Sequence, residues 1–427
     1  MQVSLIVLTS GIFIFLAHLF SGLFERTRIP DVLLLILLGI ILGPVFGLAR
    51  AADFGAVGPF LTTVTLVIML FEGGLDLDIK ILNQTMKQTL ILTLASFFAT
   101  AAAAGLACLL MTKLSPVLCF VLGAAVGSTS PAVIVPLVRR INMGEQSRYI
   151  LFLESAISDV LSIVLALSLL ESYHLGSFHL GETVGRMISS FILAMVIGGV
   201  GGLLWSVLLK KVRGIPNANF TTLAFVFVVF GLAETLGYSG FIAALAVGIT
   251  LGNIRSIDRQ KMKAYFDLDL LSFNEVEKGF FSEAVFLLKS FFFFYVGISV
   301  QFGNPWPIVI GLLVAILIFL IRIPVVRLAL PRDVSRSDAS LMSIMVPKGL
   351  AAVVLVSIAL QQKIEGGGML QNITYSVVFF SIVFTSVLVF VISKHPQWAG
   401  YDRWLRKFPA VPIEEPMPQA GKANNQP

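Results

Sequence analysis

The chain has 427 residues, 57% hydrophobic and 13% charged, with a mean hydropathy of +0.93 and a formal net charge of +6. A soluble domain is nearer half apolar and a quarter charged, so this composition excludes an ordinary soluble enzyme and places most of the chain in lipid. The basic residues are scattered singly between apolar blocks rather than gathered into a stripe, which excludes a nucleic-acid-binding face.

Apolar windows long enough to cross a bilayer as helix predict about thirteen spans: 3-23, 30-48, 56-75, 89-111, 116-138, 149-171, 187-209, 218-235, 237-252, 279-300, 305-329, 338-361 and 371-393. The fold class is therefore an all-α polytopic membrane protein. The first window lacks a basic N-terminal region and a small-residue cleavage pattern, so it reads as a span and not as a signal peptide. The third ends in IMLFEGGLDLDIK, with Glu72 inside the span, Asp76 and Asp78 at its end, and Gly73 and Gly74 allowing another backbone to approach. Cys108 and Cys119 fall in apolar surroundings and read as small core residues rather than a disulfide or a metal site.

The fifth span, GAAVGSTSPAVIVPLV, predicts a broken helix: Gly127 loosens it, Thr129 and Ser130 are hydroxyl caps, and Pro131 suits the first position of a new segment. In the sixth, LFLESAISDVLSIV, Asp159 lies one turn beyond Ser155 and shares its face. Glu154 is rotated away and seeks a cation, with Arg322 of the eleventh span as the candidate. An ionisable residue deep in a span is either paired or functional, so Asp159 is expected to face an ion path. Lys289 in the tenth span has only Glu283 nearby, six residues away, and receives no role. The twelfth span, IMVPKGLAAVVL, has Pro347 and Gly349 flanking Lys348 and repeats the broken arrangement. Two interrupted spans in corresponding halves point to an inverted repeat with a midplane site, spans four to six matching eleven to thirteen. Lys348 would neutralise carbonyl ends at the crossing.

Loops after odd-numbered spans, with the tail, carry 23 of the 30 Lys and Arg residues; loops after even-numbered spans carry four, Arg50, Lys113, Arg186 and Lys363. Cytoplasmic loops retain basic residues, so the N-terminus is expected outside and the C-terminus inside. Two units follow: a membrane domain over 1-394, and 395-427, where Trp398, Tyr401 and Trp404 beside Arg403, Arg406 and Lys407 suggest an interfacial anchor before a disordered Pro-rich end. No phosphate-binding glycine loop appears in a suitable context, so neither nucleotide nor cofactor is expected. His174 and His179, placed in an outer loop without a third ligand, are not a metal site.

These residues resemble those of the sodium/proton antiporters of the monovalent cation:proton antiporter superfamily, in the NhaP-like and sodium/hydrogen exchanger branch, over about 3-393. RIPDVLLLILLGIILGP looks like that family's second span, LFEGGLDLD like its third, Thr129 and Pro131 match the unwound span, Glu154, Ser155 and Asp159 match its Glu-Ser…Asn-Asp run, and Arg322 resembles the arginine paired with the structural glutamate. Three positions depart from the pattern: Ser158 replaces the usual Asn, Ser130 an acid, and Lys348 an arginine.

The resemblance implies a sodium/proton antiporter fold with two crossed discontinuous helices, a cell-membrane location, a homodimer, and exchange of Na+ (with Li+ as a further substrate) for H+. Asp159 would carry proton and cation in turn, with Glu72, Ser155 and Thr129 as further oxygen ligands of the transported Na+. Glu154, Arg322, Lys348, Ser158, Pro131 and Ser130 would be structural or electrostatic. One carboxylate without an adjacent second aspartate implies electroneutral exchange; a K+/H+ antiporter of the same superfamily is the alternative. No nucleophile with a base, as an intramembrane enzyme needs, accompanies Asp159.

Overall fold

The computed structural model describes residues 3–27, 31–55, 57–76, 79–141, 143–175, 180–212, 220–254, 275–300, 304–332, 334–394 and 404–409. Asp78, His179 and the segment 395–403 lie outside these. The described secondary structure is helical: α1 (Val3–Thr27), α2 (Asp31–Ile40), which runs into a π-turn at Ile41–Val45, α3 (Val57–Asp76), α4 (Ile79–Met111), α5 (Pro116–Gly127), α6 (Pro131–Arg140), α7 (Glu145–Leu175), α8 (Leu180–Val212), α9 (Thr221–Thr235), α10 (Gly240–Asn253), α11 (Glu275–Ser299), α12 (Trp306–Ala329), α13 (Arg336–Ile344), α14 (Leu350–Gln361) and α15 (Gly367–Lys394). Among the described residues six helices are long and apolar enough to cross a membrane and seven shorter apolar helices accompany them. Phe15, Leu110 and Leu328 are 82%, 82% and 81% exposed; large apolar side chains turned outward on this scale face lipid rather than water.

Helix ends depart from the windows in places. α4 begins at Ile79, so Lys80 and Lys87 extend a helix where the hydropathy predicts a loop, and His174 belongs to the last turn of α7 rather than to an outer loop. Hydropathy marks the lipid thickness, whereas the backbone ladder continues beyond it wherever polar residues still form helix. The eighth and ninth spans are two separate helices, α9 and α10, divided at Gly237, whose φ of +80° suits a glycine.

The helices form two bundles. In one, α4 packs on α5, α7 and α12, α12 packs on α13 and α15, and α15 on α14. In the other, α10 packs on α3 and α8, and α11 on α2 and α3. The bundles meet where α14 touches α3 and α11, α15 touches α2, and α7 touches α8. Of the two glycines after Glu72, Gly74 is the one at a close approach: a Cβ there would collide with the Leu245 carbonyl of α10, while Gly73 has open space.

Lys289 is accounted for across helices. Its ammonium lies 3.2 Å from the Asp31 carboxylate at the start of α2, both side chains being nearly buried, and Glu283 lies instead 4.0 Å from His18. A long-range partner of this kind has no signature in local spacing.

The segment 404–409 folds back on the first bundle. Leu405 and Phe408 are buried, Arg336 donates its backbone N–H to the Pro409 carbonyl at 2.9 Å, and Lys407 donates to the Arg327 and Leu330 carbonyls at the end of α12 at 2.8 and 3.2 Å. Lys407 thereby closes carbonyls that a helix C-terminus leaves unpaired.

Candidate site at two interrupted helices

α5 ends at Gly127 and α6 starts at Pro131; α13 ends at Ile344 and α14 starts at Leu350. Each interruption frees backbone amides and carbonyls that lipid cannot satisfy, so protein groups must do so. The two breaks bond to each other, the Ser130 N–H donating to the Pro347 carbonyl at 2.8 Å. Ser162 of α7 donates to the Ala124 and Ala125 carbonyls at 2.8 and 3.2 Å, and the Ser158 hydroxyl accepts the Thr129 N–H at 3.1 Å. In the second break the Lys348 N–H donates to Ser381 Oγ at 2.9 Å, and Thr385 donates to the Ile344 carbonyl at 3.3 Å.

Ser130 corrects one expectation. It occupies the N-cap position of α6, yet its hydroxyl makes no cap bond and has no hydrogen-bond partner among the described residues. The start of α6 is closed by the Ser130 carbonyl, which accepts from Val133 and Ile134 as the helix begins. The Ser130 side chain instead packs into the space above Gly349, where any Cβ would collide with it. Thr129 does not cap α6 with its hydroxyl either; its Oγ1 lies 3.4 Å from Ser158 Oγ.

Asp159 projects from α7 into this crossing and is 7% exposed. Its carboxyl faces the Ser128 side chain and the charge of Lys348. The Lys348 ammonium donates to the Ser128 carbonyl at 2.9 Å and feels Arg322, Glu154 and Asp159 together. Arg322 of α12 is gripped from three helices: its Nη1 and Nη2 reach both carboxylate oxygens of Glu154, Nη1 also donates to Ser96 Oγ of α4 at 2.6 Å, and Nε to the Met342 carbonyl of α13 at 3.1 Å. Glu154 and Arg322 side chains are each 1% exposed. Such fork-to-fork pairing compensates two buried charges as fully as protein groups can.

Ser155 lies beside these groups, fully buried, with its hydroxyl proton given to the Phe152 carbonyl at 2.7 Å. Its oxygen lone pairs remain as acceptors. Glu72 stands on α3 of the other bundle and is partly buried; joint ligation with Asp159 would cross the boundary between bundles. The sequence reading overlooked Ser128, Ser96, Ser162, Ser381 and Thr385. Hydroxyls paired at i and i+4 in the third span of each half, 158 with 162 and 381 with 385, were the available signal.

The sodium/hydrogen exchanger, transmembrane, family model matches residues 11–394. Na(+)/H(+) antiporter 1 of Methanocaldococcus jannaschii is 26% identical over 332 residues, 73% of each chain. K(+)/H(+) antiporter NhaP2 of a Shewanella species is 25% identical over 242 residues, 55% of this chain and 42% of that protein. Among solved structures, the sodium proton antiporter MjNhaP1 from Methanocaldococcus jannaschii at pH 8 aligns with a TM-score of 0.72 at 21% identity, covering 91% of this chain and 100% of that one.

Proposed function

We propose, from the premise that this chain belongs to the sodium/hydrogen exchanger family, that it is a secondary transporter exchanging Na+ for H+ by alternating access, with Asp159 as the shared carrier. The observation that carries the reading is the contrast between two acids on α7. Glu154 is neutralised by Arg322, whereas Asp159, among the described residues, faces the Ser128 side chain and the Lys348 ammonium, which already serves the Ser128 carbonyl. A proton and a cation cannot both occupy one carboxylate, so competition for it couples the two fluxes without ATP. Oxygens of Ser155, Thr129 and Glu72 complete the set for Na+.

The bundle of α4–α7 and α12–α15 moves against the other, exposing Asp159 to each side in turn. Packing that is denser within each bundle than across their boundary supports this division. The second bundle supplies the frame and a homodimer contact, as the family resemblance suggests. The Lys and Arg bias supports an external N-terminus and a cytoplasmic C-terminus in the cell membrane.

Reconstituted in liposomes, the protein is expected to move protons in response to a Na+ gradient, and Asp159→Asn, expressed and folded, to abolish that flux. Near-normal exchange by the variant would remove the central claim.

A further inference from the structure

The two interruptions are wired alike. Ser158 Oγ accepts the Thr129 N–H at 3.1 Å and donates to the Ser155 carbonyl at 3.1 Å; Ser381 Oγ accepts the Lys348 N–H at 2.9 Å and donates to the Val378 carbonyl at 2.9 Å. Each serine ties an amide inside a break to a carbonyl three residues before itself. Four residues further on, Ser162 and Thr385 each donate to carbonyls at the end of the half-helix that precedes the break. Thr129 therefore corresponds to Lys348, Ser158 to Ser381, and Ser162 to Thr385.

The correspondence fails at one bond. Ser130 donates its N–H to the Pro347 carbonyl, and by symmetry Gly349 would donate to the Ser128 carbonyl. The Lys348 ammonium takes that carbonyl instead, at 2.9 Å. Lys348 is thus held at both ends, its amide by Ser381 and its ammonium by Ser128. Where the stem starts decides where a fully buried ammonium can end.

We propose that Ser381 is a positioning residue for cation binding: by anchoring the Lys348 amide it keeps the Lys348 ammonium on the Ser128 carbonyl, beside the Asp159 carboxylate rather than on it. Ser381 touches neither ion and acts only through Lys348. The role rests on Asp159 being the carrier. Once the anchor is lost, the ammonium is free to settle on Asp159 and compete with Na+ for it.

The test is Na+-driven proton flux in liposomes, with the wild type, Ser381→Ala, Ser381→Thr and Ser376→Ala compared over a range of Na+ concentrations. Ser376 is the control, since its hydroxyl on the same helix donates to the Asn372 carbonyl one turn earlier at 2.9 Å and not to either interruption. Ser381→Ala should raise the apparent KM for Na+ about threefold to tenfold, the size of one neutral hydrogen bond, with the maximal rate largely kept. Ser381→Thr should restore the wild-type KM, and Ser376→Ala should leave it alone. In a Lys348→Met background, Ser381→Ala should no longer change KM. Should Ser381→Ala fail to fold, Ser381→Cys, whose sulfur is a weak acceptor, replaces it with the same expectation. An unchanged KM in the folded variant, or an equal effect with and without Lys348, overturns the positioning role. Absence of Na+-driven flux in the wild type would instead overturn the functional reading on which that role rests.

Discussion

The Lys348 ammonium sits 2.9 Å from the Ser128 carbonyl, so a side chain from the second interrupted helix closes the open carbonyl end of the first. Helix C-termini carry partial negative charge, and this one lies next to the carboxylate of Asp159. Lys348 therefore joins the two halves of the bundle and offsets two sources of negative potential at once.

Lys348→Met should lower stability by about 1–3 kcal/mol, the cost of a buried acceptor left unpaired, and should leave the group of Asp159, Glu154 and Arg322 with a net negative charge. Lys348→Arg should retain most of the stability, because a guanidinium still donates and stays charged. Thermal unfolding in detergent distinguishes them; equal midpoints for wild type and Lys348→Met would discount the contact.

Glu154 and Arg322 should behave as one unit. Breaking either side leaves an uncompensated buried charge, a loss of about 3–5 kcal/mol, and Arg322 also holds Ser96 and the Met342 carbonyl. Glu154→Gln and Arg322→Met should each cut folded yield sharply, while the double variant should lose less than the sum. A double-mutant cycle with no coupling energy would contradict the pairing.

Gly349→Ala should destabilise the crossing by about 1–3 kcal/mol through overpacking, because its methyl would strike the Ser130 side chain. The informative result is suppression: Ser130→Gly should rescue Gly349→Ala. If the double variant melts no higher than Gly349→Ala, the collision is not the cause.

Phe408→Ala should release the segment 404–409 from the end of α12 and the start of α13. Removing a buried Phe costs up to about 3–5 kcal/mol, spread here over a short docked segment. Limited proteolysis reads the outcome, with faster cleavage near residues 404–409 in the variant and an unchanged pattern in Lys407→Ala excluding a purely electrostatic attachment.

The spans were legible because lipid leaves a strong mark: runs of apolar residues as long as the bilayer is thick, with Pro131 and Pro347 marking both interruptions. Helix ends were less so, as α4 shows, since polar residues such as Lys80 and Lys87 continue a helix outside the apolar window. Spacing along α7 separated Glu154 from Asp159. It left open which hydroxyls serve Asp159, because Ser128 arrives from another helix and its backbone carbonyl, which carries no sequence signal, receives Lys348. The Lys289–Asp31 contact joins residues 258 positions apart, beyond the reach of any local pattern.

The inverted repeat also bears on stoichiometry. If Ser158 corresponds to Ser381, the position equivalent to Asp159 is Ile382, fully buried and apolar, so the second half offers no matching carboxylate. A single carrier predicts one cation exchanged for one proton and no net charge moved. With fixed ion gradients in liposomes, an imposed potential should then leave the reversal point unchanged. Moving one net charge across about 100 mV contributes about 2.3 kcal/mol, so a displacement of the reversal point by that amount would establish an electrogenic cycle and require a second titrating group, for which Lys348 beside Asp159 and Glu72 on α3 are the candidates. Running the same assay with Na+, Li+ and K+ fixes the substrate: Na+ and Li+ should support flux, and stronger coupling to K+ would replace the cation assignment while leaving Asp159 and the two interrupted helices in the same roles.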